Sequence, residues 1–214
     1  MAFVIFDIDG TILETARVTV PAVQRTMAAY GLPEPDADAI CSFFGRPVED
    51  YHAWLKALCP SDKAAEIVAA TDRLELDLIG SEGRLYEGMH CALETLRDEG
   101  HVLAVCSNAP EDYLCEFLDA HDLRHFFTEI RCRGTRYSGK TEMIAELLTL
   151  VEARPAIVVG DRHDDIEAAH ANGILAVAAA YGFGNDGEWR DADARIETPA
   201  SLPVTVDRLI SAGR

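Results

Sequence analysis

The stretch Phe3-Val4-Ile5-Phe6-Asp7-Ile8-Asp9-Gly10-Thr11 decides how the rest of the chain is read. An apolar run of strand length ends in two carboxylates, followed by a glycine and a hydroxyl able to wrap an anion. Side chains at i and i+2 of a strand share a face, so a strand continuing through Asp9 would present both carboxylates on one side. Like charges that close repel strongly away from water unless a cation, a proton or good donors neutralise them. Taken alone, the pair would also suit a helix N-terminus or a surface turn, so the surrounding chain must decide.

C-terminal to this stretch the pattern is helical as far as Gly80. Pro21 suits a first turn and Gly31 a stop, bracketing a helix through Val23, Met27 and Tyr30. A shorter helix is expected around Ala37 to Phe44. Pro47 opens another, through Tyr51, Trp54 and Leu55, and Pro60 closes it. Ser61 is placed to cap a long one carrying Ile67, Ala70, Leu74 and Leu78 at helical spacing. Beyond Gly88 apolar strands alternate with helices. The expected strands are Val102 to Cys106, Thr128 to Arg131, Ala156 to Val159 and Leu175 to Ala179. The expected helices cover Met89 to Asp98, Asn108 or Pro110 onward, Lys140 to Val151, and a segment ending near Asn172-Gly173. Continuous apolar strands separated by helices call for a parallel sheet covered on both faces. The expected architecture is therefore α/β: a Rossmann-like core made of residues 1–14 and 81–214, with an all-helical insertion over residues 15–80. Ligands in such sheets bind beyond the carboxyl ends of the strands, where the polar clusters fall.

Composition narrows the partners. The chain has 214 residues, of which 49% are hydrophobic and 26% charged, as in ordinary globular proteins. Asp and Glu number 37 against 19 Lys and Arg, so nucleic acid should be repelled, and any phosphate-bearing ligand needs local positive charge, most simply a divalent metal. The only lysines are Lys56, Lys63 and Lys140. The cysteines show no C-x-x-C pair, and no apolar run approaches bilayer length, so a reduced, cytoplasmic protein without membrane contact is expected.

The opening stretch resembles the first motif of the haloacid dehalogenase (HAD) superfamily, Asp-x-Asp-Gly-Thr, and three further clusters match that family in order. Ser107 follows an apolar strand, as does the family's second-motif Ser or Thr. Lys140 stands at a helix start like the third-motif Lys or Arg, and Val159-Gly160-Asp161-x-x-x-Asp165 resembles the fourth. Tyr181-Gly182-Phe183-Gly184 and Ala192-Asp193-Ala194 resemble phosphoglycolate phosphatase-like members. Where relatives commonly continue Lys-Pro-x-Pro, this chain reads Lys140-Thr141-Glu142-Met143, a departure that keeps the charge and weakens the link to subfamilies with that signature.

The resemblance implies a Mg²⁺-dependent phosphatase acting on a small phosphorylated metabolite, with the helical insertion serving as a cap and the protein working as a monomer or homodimer. Asp7 would be the nucleophile and Asp9 the general acid and base. Ser107, Gly10, Thr11 and Asn108 would meet the phosphoryl group or substrate, and Lys140 would neutralise charge. Asp7, the Asp9 carbonyl and Asp161 would hold the metal, with Asp165 behind them and Asp164 a competitor for that place. Lys140 at a helix N-terminus opposes the helix dipole, so an anion should lie beside it. Asn108 reads as a helix cap with a lesser role near substrate. Arg46, in Gly45-Arg46-Pro47, suits a substrate carboxylate or second phosphate as well as it suits a surface ion pair; His52, His163 and Arg162 are candidates by position alone. Asp9 argues against a dehalogenase or phosphonatase, whereas a phosphomutase stays open. A receiver-type signalling domain would place its acidic pair before the phospho-accepting Asp and lacks a helical insertion. A phosphate-binding protein without activity would not need the full set.

Overall fold

A computed structural model describes residues 1–212. Strands β1 (Phe3–Phe6), β2 (Val102–Ser107), β3 (Glu129–Cys132), β4 (Ala156–Gly160), β5 (Leu175–Ala179) and β6 (Ala194–Ile196) form one sheet in the order β3-β2-β1-β4-β5-β6. All neighbouring pairs are parallel. Sheets of this order change winding direction between β1 and β4, which opens a crevice at their carboxyl ends.

The two-residue periodicity of β1 assigns its faces. Phe3 and Ile5 pack with Ala104, Cys106, Val158 and Ala176 beneath helices α7 (Lys140–Leu150) and α8 (His163–Ala171). Val4 and Phe6 pack on the opposite face with Leu103, Val105, Ile157 and Val177, covered by α5 (Met89–Asp98), α6 (Glu111–Ala120) and α9 (Leu202–Ala212). Every β1 residue is fully buried; removing side chains of this size from water contributes about 1.5–3 kcal/mol each. Helices on both faces explain why these strands are apolar throughout rather than alternating.

Between β1 and β2 lie α1 (Ala16–Ala29), α2 (Ala37–Cys41), α3 (Val48–Ala57) and α4 (Ala64–Ser81). They bury an apolar cluster of their own that includes Met27, Ile40, Leu55 and Ile67. The chain enters and leaves this block through two adjacent segments, where Glu14 N–H donates to Arg84 O (2.9 Å) and Tyr86 N–H to Ile12 O (3.1 Å). No helix among the described residues is long and apolar enough to cross a membrane.

Several local expectations change. Helix α1 begins at Ala16, so Pro21 lies inside it rather than in its first turn; the helix starts from Thr15, whose hydroxyl is bound to Asp9. Ser61 does not cap α4, which starts three residues later and continues through Gly80. Pro110, not Asn108, precedes α6. The three-residue β6 is too short to register as a pattern. Helix α9, which the sequence reading did not include, carries Leu202, Val206, Leu209 and Ile210 at helical spacing.

Candidate active site

Backbone geometry at the end of β1 sets the site. The strand ends at Phe6 and does not continue through Asp9. Asp7 N–H donates to Val159 O (2.9 Å), and Ile8 O then accepts from Thr11, Ile12 and Leu13, closing a tight turn. Gly10 sits in that turn at φ +77°, and a Cβ there would lie 2.4 Å from Asp161 Oδ2. Only glycine tolerates both the left-handed backbone and the approach.

Lys140, the first residue of α7, joins three of the expected residues. Its Nζ lies 2.9 Å from Asp7 Oδ1 and 2.6 Å from Asp165 Oδ1, with all three side chains 2% exposed. Burial alone would lower the lysine pKa, but the Asp165 and Asp7 carboxylates outweigh it and hold the ammonium charged. The expected anion beside this helix N-terminus is therefore Asp7 with Asp165. Burial pushes Asp7 well up, opposed by Lys140 and reinforced by Asp165, Asp161 and Asp9. Asp161 is pushed up to about 7 by burial and by Asp165, against the Phe183 N–H that donates to it. One lysine thus faces an excess of carboxylate, the electrostatic condition that a cation relieves.

The carboxylates also fit a metal geometrically. Asp7, Asp161 and Asp165 each offer an oxygen within 4.8 Å of the others. Asp7 Oδ2 and Asp161 Oδ1 are buried without a hydrogen-bond partner, whereas both Asp165 oxygens are engaged, one by Lys140 and the other by the Arg162 N–H (3.1 Å). Hard, unpartnered carboxylate oxygens suit Mg²⁺. Asp165 is held by Lys140 and by the Arg162 N–H, and Asp164 is exposed and outside the cluster.

The other expected residues divide. Ser107, the last residue of β2, accepts from Ala109 N–H (3.0 Å), and the Thr11 hydroxyl is buried and unpartnered. Asn108 Nδ2 donates to Gly45 O (3.0 Å), so Asn108 ties the core to the helical block instead of capping a helix. Arg162 does likewise, donating to Phe44 O and to Glu188 (both 2.8 Å). Arg46 is exposed, its guanidinium 5.5 Å from the Phe43 ring centroid. His52 pairs with Asp72 at 2.9 Å, while His163 is exposed.

Asp9 has partners that sequence reading missed. Its Oδ1 accepts from the Thr15 hydroxyl (2.8 Å) and the Tyr113 phenol (3.1 Å). Burial raises its pKa even though these two donors, and Lys140, oppose the rise. Tyr113 lies 104 positions away on α6 and reads locally as one more apolar-face residue. Asp7, Asp9 and Ser107 open onto a cavity of about 310 Å³ between the strand ends and the helical block.

The chain is similar to known proteins. A family model described as haloacid dehalogenase-like hydrolase matches residues 4–179. The tyrosine-protein kinase PtkA of Mycobacterium tuberculosis is 30% identical over 186 residues; the match covers 85% of this chain, which spans only 62% of that protein. A phosphoglycolate phosphatase of Haemophilus influenzae is 29% identical over 191 residues, covering 83% of this chain and 85% of its own. In structure, a predicted phosphoglycolate phosphatase from Haemophilus somnus superimposes with a TM-score of 0.87 over 96% of this chain and 98% of its own; at 20% identity that likeness concerns the fold alone. The family match runs from β1 to the end of β5 and takes in every strand end that carries the site, so the chain belongs to the haloacid dehalogenase-like hydrolase family.

Proposed function

We propose that this hydrolase is a Mg²⁺-dependent phosphatase that cleaves a small phosphorylated metabolite, of the phosphoglycolate or sugar-phosphate class, through an aspartyl-phosphate. The observation that carries the reading is the buried lysine between Asp7 and Asp165 while Asp7 Oδ2, Asp161 Oδ1 and the Thr11 hydroxyl stay unpartnered. Unsatisfied buried groups are costly, and a cation and a phosphoryl group would satisfy all three.

Asp7 attacks phosphorus, and the bond from phosphorus to the leaving oxygen breaks. Asp9, whose carboxyl burial moves above the ordinary range, acts as the general acid and gives its proton to that oxygen. Asp9 then takes a proton from the water that attacks the phosphoryl group, and the bond from phosphorus to Asp7 breaks, restoring the Asp7 carboxylate and the protonated Asp9. Lys140, Ser107 and the backbone turn at Gly10-Thr11 hold the phosphoryl oxygens. Asp7, Asp161 and the Asp9 carbonyl would hold Mg²⁺, which supplies the positive charge that lets a carboxylate approach a dianion. Helices α1–α4 act as a cap that keeps bulk water from the intermediate.

The test is a panel of phosphorylated metabolites assayed for free phosphate. Release is expected with Mg²⁺, is lost with a chelator, and is lost in Asp7→Asn. Release that survives either treatment overturns the metal or the nucleophile. Isomerised sugar phosphate in place of free phosphate would make the protein a mutase.

A further inference from the structure

The cavity beside Asp9 is rich in acceptors and short of free donors. Apart from the hydroxyls of Thr19 and of Ser107, the latter assigned to the phosphoryl group, its hydroxyl and amide donors are already engaged. Tyr51 donates to Glu75 (2.8 Å), and Tyr113 (3.1 Å) and Thr15 (2.8 Å) donate to Asp9. Asn108 Nδ2 donates to Gly45 O (3.0 Å), and His52 Nε2 is paired with Asp72 (2.9 Å). Acceptors remain open. Asn108, 9% exposed, lines the cavity with a buried Oδ1 that has no partner. Glu75, Asp72 and Asp112 bring carboxylates to the same wall, completed by the apolar Phe43, Phe44, Val48 and Leu76. Arg46 is the one arginine or lysine among the described residues lining it, and it lies exposed over Phe43.

We propose that the leaving alcohol carries hydrogen-bond donors, as hydroxyl or ammonium groups, and that Glu75 selects it against alcohols bearing a carboxylate or second phosphate. The proposal rests on the phosphatase reading of the site and narrows its substrate class. A ligand with donors satisfies Asn108 Oδ1 and the carboxylates, whereas a second anion leaves the amide unpaired and meets like charge. Protonated, Glu75 presents at most one donor against the acceptors of Asn108, Asp72 and Asp112. A site built to bond a substrate hydroxyl discriminates more strongly than an apolar pocket does. A cavity of about 310 Å³ accommodates a leaving group of this kind.

The test compares kcat/KM for phosphate release, with Mg²⁺, between substrates matched in skeleton. Glycerol 1-phosphate is set against 3-phosphoglycerate, and glucose 6-phosphate and glucosamine 6-phosphate against 6-phosphogluconate. The donor-bearing member should exceed its carboxylate partner by about tenfold or more, and the glucosamine to glucose ratio separates ammonium from hydroxyl. A carboxylate member that equals or exceeds its partner overturns the proposal. p-Nitrophenyl phosphate is the reference: its turnover with a preference for carboxylates sinks only the substrate class, and no turnover of any compound sinks the phosphatase reading. In that second case calorimetric affinities of the same pairs still decide the preference. Glu75→Gln should shrink the ratio between pair members several-fold, with Asp72→Asn as the alternative if that variant does not fold. An unchanged ratio in the folded variant removes Glu75 from the selection.

Discussion

Lys140 stands between two buried carboxylates, and its ammonium group is the counter-charge that both Asp7 and Asp165 meet. Lys140→Met leaves them facing one another without a counter-charge. Losing one member of such a buried network costs about 3–5 kcal/mol, so the melting temperature should fall, and phosphate release should drop below detection in the fraction that folds. Glu75 makes the opposite kind of buried acid, pushed up from 4.5 to about 8 chiefly by burial. The folded protein holds this proton more tightly than the unfolded chain, so the stability it contributes is full below about pH 4.5 and is lost as pH rises through about 8. Glu75→Gln is neutral at every pH. From pH 5 to pH 8.5 the melting temperature of the wild type should therefore fall relative to this variant; parallel curves would show that Glu75 titrates normally. Asp7, Lys140 and Asp161 were legible because strand ends and helix starts signal themselves locally. Tyr113 and Glu75 were not, since each reads as an ordinary helical residue until α4 and α6 come together.

Among the elements, the segment between α2 and α3 lines the cavity beside Asp9. It is tied to the core from two strand ends, by Asn108 after β2 and Arg162 after β4, each donating to a backbone carbonyl of Phe44 or Gly45. Phe183, after β5, packs edge-on against Phe44 with ring centroids 4.6 Å apart. Gly45 lies at φ +79°, and a Cβ there would meet Arg162 Cγ at 2.7 Å, so the contact needs glycine. Arg162→Ala removes one hydrogen bond to this segment and the ion pair with Glu188. Amide exchange at residues 43–46 should speed up while β1 and β4 stay protected, because the strands' own ladder is untouched. Uniform protection in the variant would mean that packing alone holds the segment. The elements themselves were largely readable from apolar periodicity and from Pro and Gly positions. Their boundaries were not: α1 runs straight through Pro21, and α4 through Gly80, because tertiary packing overrides local propensity.

Over the whole molecule, formal charge is −18, and the densest buried part of it converges where β1 and β4 end. Binding there by Mg²⁺ should raise the melting temperature beyond what NaCl of equal ionic strength achieves, since salt only screens whereas a ligand of the folded state stabilises by mass action, about 2.7 kcal/mol at a hundredfold excess over Kd. Asp161→Asn should abolish the excess while leaving the NaCl response; an equal response to both salts would remove the metal from this site. The sequence by itself determined the α/β class, the run of helices between the first two strands and the order of the strand-end motifs, because hydrophobic periodicity and the chemistry of short motifs are local properties. Only the tertiary structure decided that Asp165 rather than Asp164 meets Lys140, that Asn108 and Arg162 tie the helical block to the core, and that Tyr113 donates to Asp9. Those pairings join residues tens to more than a hundred positions apart, or turn on which side of a helix faces inward, and no local pattern encodes how the chain brings such groups within hydrogen-bonding reach.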